Sequence, residues 1–114
     1  MIKRLETGPR MSQAVVHGNT VYLAGQVADD TSADVAGQTR QVLASIDRLL
    51  AAAGSDKTRI LAATVYLADI ATFGAMNSAW DAWVAPGHAP ARATVEAALA
   101  GPAWKVEIVV TAAL

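Results

Sequence analysis

The residue whose type and setting most clearly call for chemistry is Arg92, in the run Pro90-Ala91-Arg92-Ala93-Thr94-Val95-Glu96-Ala97-Ala98. The run is otherwise small and apolar and reads as a strand. Side chains alternate along a strand, so Ala91, Ala93, Val95, Ala97 and Leu99 line an apolar face while Arg92, Thr94 and Glu96 share the other. A guanidinium keeps its charge and presents a planar donor fork that matches a carboxylate. Arg92 is therefore either half of a salt bridge with a neighbouring Asp or Glu, or a receptor for a ligand's carboxylate. Spacing alone leaves both open.

Other chemistry-bearing types are sparse. His17 sits at an expected turn with no metal-competent residue at a recognisable spacing, so it reads as an exposed turn residue. His88 lies in Pro86-Gly87-His88-Ala89-Pro90, the loop that delivers Arg92, and is kept as a residue bordering the site. Zero cysteines exclude disulfides and thiolate chemistry. There is no Gly-rich phosphate loop, nucleophile elbow or His-Glu-x-x-His, which removes support for covalent and metal catalysis.

The elements that must position Arg92 follow from periodicity. Ile2 to Glu6 is a short first strand broken by Gly8-Pro9. Ala14-Val15-Val16 and Thr20 to Ala24 form a hairpin across His17-Gly18-Asn19, whose Gly and Asn tolerate the positive φ of tight turns. From Asp34 onward, Val35, Thr39, Val42, Leu43, Ile46, Leu49, Leu50 and Ala53 recur at helical spacing, and Gly54 falls where a left-handed cap belongs. Arg40, Asp47 and Arg48 fall on the polar side of that helix, with Asp47 solvated. Ile60 to Ala68 is apolar on both alternating faces, which predicts a central strand covered on two sides. Phe73, Met76, Trp80, Trp83 and Val84 make the core stripe of a second helix. After Gly101-Pro102, Trp104 to Leu114 alternates, Val106, Ile108, Val110 and Ala112 against Lys105, Glu107, Val109 and Thr111.

This order predicts one α+β domain over residues 1–114, with two helices on one face of a mixed six-stranded sheet. The other face is expected to stay open, carrying Arg92 and residues such as Glu107. At 54% hydrophobic and only 17% charged, the chain has few polar groups to cover its surface, and self-association is the natural outlet. A net charge of -1 supplies no basic footprint for nucleic acid. The start, Met1 to Arg10, has no long apolar core after its basic residues, so neither a secretory signal nor a membrane span is expected and the cytoplasm is the default.

The sequence Pro90-Ala91-Arg92, a small residue, Thr94 and Val95-Glu96 resembles the signature of the RidA/YjgF family of small imine deaminases. Ser12-Gln13-Ala14-Val15, Gly18 to Gln26, Gln38 to Leu43, Met76-Asn77 and Lys105-Val106-Glu107-Ile108 stand in the family's order, so the likeness covers nearly the whole chain. The resemblance implies a chorismate-mutase-like fold and a homotrimer with sites between subunits. It implies a cofactor-free hydrolysis of 2-imino acids, formed from enamines such as 2-aminoacrylate, to 2-oxo acids and ammonia. Arg92 would grip the substrate carboxylate and Glu107 would position or activate water. Gly25 would let the backbone approach the ligand, Thr94 and Met11 would border it, and Asn77 would support the loop nearby or be an ordinary surface amide. Met11 stands where many members have Tyr, Ala24 where many have Ser, and Thr94 replaces the frequent Cys. The Arg10-Met11-Ser12 version looks like a RidA-like subgroup. A non-catalytic carboxylate-binding or regulatory trimer is the alternative role; an endoribonuclease role fits poorly with the acidic net charge.

Overall fold

The longest element, helix α1 (Val35–Ala53), starts and stops where the sequence supplies caps. In the computed structural model, which describes residues 1–114, the Asp34 side chain accepts from the Gly37 N–H at 2.8 Å. At the other end Gly54 takes φ 90°, ψ 22°, and its N–H and that of Ser55 return to the last carbonyls. Between them Val42, Leu43, Ile46, Leu49 and Leu50 are buried in full, each worth roughly 1.5–3 kcal/mol on transfer from water.

The sheet is built from β1 (Ile2–Thr7), β2 (Ser12–His17), β3 (Thr20–Leu23), β4 (Ile60–Leu67), β5 (Ala91–Glu96) and β6 (Val106–Ala113). Its order is β1-β2-β3-β6-β4-β5, and only β4 and β5 run parallel. Their parallel register requires a crossover, which helix α2 (Phe73–Trp83) supplies. His17 pairs with Thr20, so the turn is Gly18-Asn19, with Gly18 at φ 62°. Strand β6 is internal, and its alternation holds: Val106, Ile108, Val110 and Ala112 are buried beneath the helices. The strand begins two residues later than Trp104, because the Trp104 indole donates to Ala28 O and the Lys105 N–H to Gln38 Oε1. Neither helix is long and apolar enough to cross a membrane.

Both helices lie on one face, and the core fills the space between them and the sheet. The other face is open, and here an expectation fails. Strand β4 is not covered on two sides: Ile60, Ala63, Val65 and Leu67 are buried, but Leu61, at a bulge, is 54% exposed and Tyr66 only half-buried. Nothing in the chain lies over that face, which also presents Tyr22 and Val95 to solvent.

Two polar side chains do more than periodicity suggests. Gln38 is fully buried and donates to the carbonyls of Thr31, Ala33 and Ala103 while accepting from the Lys105 N–H, clamping the loop before α1 to the entry of β6. Asp47, expected to be merely solvated, accepts the Trp83 indole N–H at 2.9 Å and ties α1 to the end of α2.

Candidate functional site

Arg92 lies on β5, an edge strand, opposite Ala63 of β4. Ala63 is buried beneath the helices, so the Arg92 side chain enters the helix-covered side rather than the open face expected of it. Ala91, Ala93 and Val95 are the ones exposed. The guanidinium carbon sits 4.9 Å from the Trp80 ring centroid and 5.9 Å from that of Phe73, and Nη1 lies 3.9 Å from Met76 Sδ. No carboxylate pairs with it, since the ion pairs of the protein are Arg48 with Glu6 and Arg59 with Asp56. The salt-bridge reading of Arg92 therefore fails within the chain. Glu96 is engaged elsewhere, accepting from the Ile70 N–H at 3.0 Å ahead of α2.

Thr94, two residues along, shares the Arg92 side and pairs with buried Val65. Its Oγ1 is buried without a hydrogen-bond partner, an arrangement that ordinarily costs roughly 1–3 kcal/mol. Asn77 is half-buried on α2, beside Met76 and one turn from Phe73, and its side chain makes no hydrogen bond.

Glu107 occupies the opposite side. It pairs with Tyr66 on the open face, and its carboxylate has neither an ion pair nor a hydrogen-bond donor. The segment after β3 is lashed to β6 by reciprocal bonds between Gln26 and Ile108, 2.9 and 3.1 Å, which presses Gly25 against Glu107. A Cβ at Gly25 would stand 2.3 Å from Glu107 Oε2, so any larger residue here must displace the Glu107 side chain. Gln26 in turn donates from Nε2 to Gln13 Oε1 and to Ala24 O, both at 3.0 Å. Sequence reasoning missed Gln13 and Gln26 as supports; a glutamine adjoining a strand-end glycine was the available signal.

Met11, 48% exposed, borders a cavity of about 370 Å³ with Glu6, Gln13, Gly25, Gln26 and Arg48. Arg48 is bound to Glu6 at 2.7 Å, and that hydrogen bond, followed by the charge itself, raises its pKa above the ordinary value. His88 is exposed with Nδ1 3.0 Å from Pro86 O in its own loop, and His17 is exposed at the end of β2.

The proposed site residues thus fall into two groups. Arg92 and Thr94 share the helix-covered side of the β5 edge, with Asn77 one turn from Phe73 on α2; Glu107 meets Gly25 on the other side, and Met11 borders with Gly25 a cavity that Ser45 and Arg48 of α1 also line. Arg92 and Glu107 are separated by two strand spacings, roughly 10 Å, and by three residues along β4, roughly another 10 Å, and they point to opposite faces. One chain does not bring them together. No three His, Cys, Asp or Glu side chains are grouped to hold a metal ion.

The family model described as Endoribonuclease L-PSP matches residues 1–114. A RutC family protein of Haemophilus ducreyi is 54% identical over 114 residues, spanning all of this chain and 97% of that protein. The crystal structure of a YjgF family member from Neisseria meningitidis has a TM-score of 0.97 at 49% identity, covering 99% of this chain and 94% of that one. The 2-iminobutanoate/2-iminopropanoate deaminase of Rattus norvegicus is 36% identical over 103 residues, 85% of this chain and 74% of that protein.

Proposed function

This chain belongs to the RidA/YjgF family, whose model spans its full length, and from that premise we propose that it is a hydrolytic deaminase of small 2-imino acids. The activity named for the rat relative supports the reaction class. The observation that carries the reading is a pair of unsatisfied charges: Arg92 without a carboxylate and Glu107 without a cation, on opposite faces of one sheet. A homotrimer formed by packing open sheet faces together would bring Glu107 of one copy to the β5 edge of the next. The exposed Tyr22, Leu61 and Val95 supply an apolar reason for those faces to meet.

In that cleft the Arg92 fork holds the substrate carboxylate in line. Glu107 orients a water molecule and accepts its proton as the oxygen attacks the imine carbon. Glu107 returns that proton to the nitrogen to give the carbinolamine; its C–N bond then breaks as the hydroxyl oxygen forms C=O and passes its proton, through Glu107, to the departing nitrogen, so that ammonia leaves and a 2-oxo acid remains. Gly25 keeps the Glu107 carboxylate close to the backbone, Met11 supplies a flexible apolar wall, Thr94 offers an unused hydroxyl, and Asn77 supports the rim.

The test compares calorimetric binding of pyruvate with coupled imine hydrolysis. Hydrolysis is expected to fall from wild type to Arg92→Lys to Arg92→Ala, since Lys keeps the charge but not the fork. Glu107→Gln is expected to lose about 10²-fold in turnover while pyruvate binding survives. A Glu107→Gln variant as fast as wild type would overturn the hydrolytic role and favour a carboxylate-binding module on the same fold.

A further inference from the structure

We infer that Phe73 and Trp80 form an aromatic slot that sets the orientation of the Arg92 guanidinium, which makes Phe73 a positioning residue for carboxylate recognition. The inference rests on Arg92 being the carboxylate receptor proposed above.

An arginine on an edge strand has a long side chain with many rotamers, and a receptor must hold it in one of them before the ligand arrives. The usual device is a neighbouring carboxylate, but a carboxylate occupies the same in-plane donors that a ligand needs. Here no acid pairs with Arg92, and two rings stand in its place, Trp80 at 4.9 Å and Phe73 at 5.9 Å. Rings attract the guanidinium through their faces and occupy none of its in-plane N–H donors, of which only Nη1 is engaged, by the weak acceptor Met76 Sδ at 3.9 Å. The two rings and Met76 sit at positions i, i+3 and i+7 of α2, one stripe of the helix, so a single rigid element presents the slot.

The slot is itself braced. Trp80 is only 5% exposed and packs against Trp83 with centroids 5.4 Å apart, and the Trp83 indole is bonded to Asp47 of α1. Phe73 is different. It is 43% exposed at the rim, so its ring contributes little to the core, and the guanidinium is the partner its placement explains.

The consequence is a separation of binding from turnover. If the slot keeps Arg92 in its competent rotamer, loss of one wall lowers the competent fraction and weakens apparent affinity in proportion. The reaction itself, carried by a group on the other side of the cleft, is left alone.

The experiment uses the full-length protein with Phe73→Leu, which keeps apolar bulk but removes the π face, and Phe73→Tyr, which keeps it. In free wild type the Arg92 Nε–H resonance is expected to be displaced by the ring currents, and the displacement should shrink in Phe73→Leu and persist in Phe73→Tyr. The Kd for pyruvate and the KM for the imine of alanine should rise about two- to fivefold in Phe73→Leu, with kcat within twofold of wild type and the melting temperature unchanged. Phe73→Tyr should stay near wild type. A Phe73→Leu variant that binds pyruvate as tightly as wild type overturns the inference while leaving the function standing, as does a wild-type Arg92 resonance with no ring-current displacement. Wild type that neither binds pyruvate nor hydrolyses imines overturns the functional reading, and the positioning role with it.

Discussion

Replacing Gly25 by alanine tests the placement of Glu107 with one added methyl group. The new Cβ would lie 2.3 Å from Glu107 Oε2, 2.9 Å from Cδ and 3.2 Å from Cγ, whereas ordinary contact begins near 3.4 Å. The carboxylate oxygen must therefore retreat by about 1 Å, and because Cδ and Cγ are crowded as well, a twist of the carboxylate alone does not relieve the clash. A misplacement of that size can cost about 10²-fold in rate. The backbone raises no objection, since Gly25 is not among the residues at positive φ. Alanine also lowers the entropy of the unfolded chain, worth roughly 0.4–1 kcal/mol, which offsets a displaced Glu107 rotamer costing about 0.5–1.5 kcal/mol. Stability should change by under ~1 kcal/mol, a few degrees in melting temperature for a domain of this size. The assay pairs thermal unfolding with coupled imine hydrolysis, using Gly74→Ala as the control. Gly74 has nothing within 4 Å of its added Cβ and lies inside α2, so alanine there should stabilise by up to ~1 kcal/mol with turnover unchanged. Wild-type turnover in Gly25→Ala would refute the claim that hydrolysis depends on where the glutamate is held. A large loss of melting temperature would refute the steric accounting.

Gln38→Leu should cost roughly 2–4 kcal/mol in urea unfolding, because the shorter, apolar leucine leaves the Lys105 N–H and the loop carbonyls it served without partners; a loss under ~1 kcal/mol would mean that water replaces the amide. Val109→Asp places a charge on the open face of internal strand β6 and should dissociate the proposed trimer in sedimentation equilibrium, abolishing the proposed hydrolysis while far-UV circular dichroism stays native. A wild-type protein that runs as a monomer at micromolar concentration would remove the intersubunit site altogether. Imines of Ala, Leu or Met should be hydrolysed faster than that of Glu, since Arg48, the cation beside Met11, is already bound to Glu6; a preference for the acidic imine would show that this pair opens for a second carboxylate.

Local pattern determined most of the elements. The apolar spacing from Val35 to Ala53, the Asp34 cap and Gly54 in the left-handed region place α1, because cap and period act within a few residues of one another. The Gly18-Asn19 turn and the alternation of β6 are legible for the same reason. Alternation, however, defines two faces of a strand without saying which one is inside. In β5 the small apolar set Ala91, Ala93 and Val95 suggested the buried face, and the chain folds the other way. The parallel register with β4 puts Arg92 beside Ala63 and Thr94 beside Val65, and α2 supplies rings that accept a guanidinium. An all-apolar β4 likewise could not reveal that its second face lacks a cover within the chain, since burial depends on what lies across the sheet. Asp47 with Trp83 and Gly25 with Glu107 join positions 36 and 82 residues apart, beyond any local signal. Tertiary packing alone also decided that Arg92 and Glu107 face opposite ways, because the side a residue takes is set by its strand's neighbours and register.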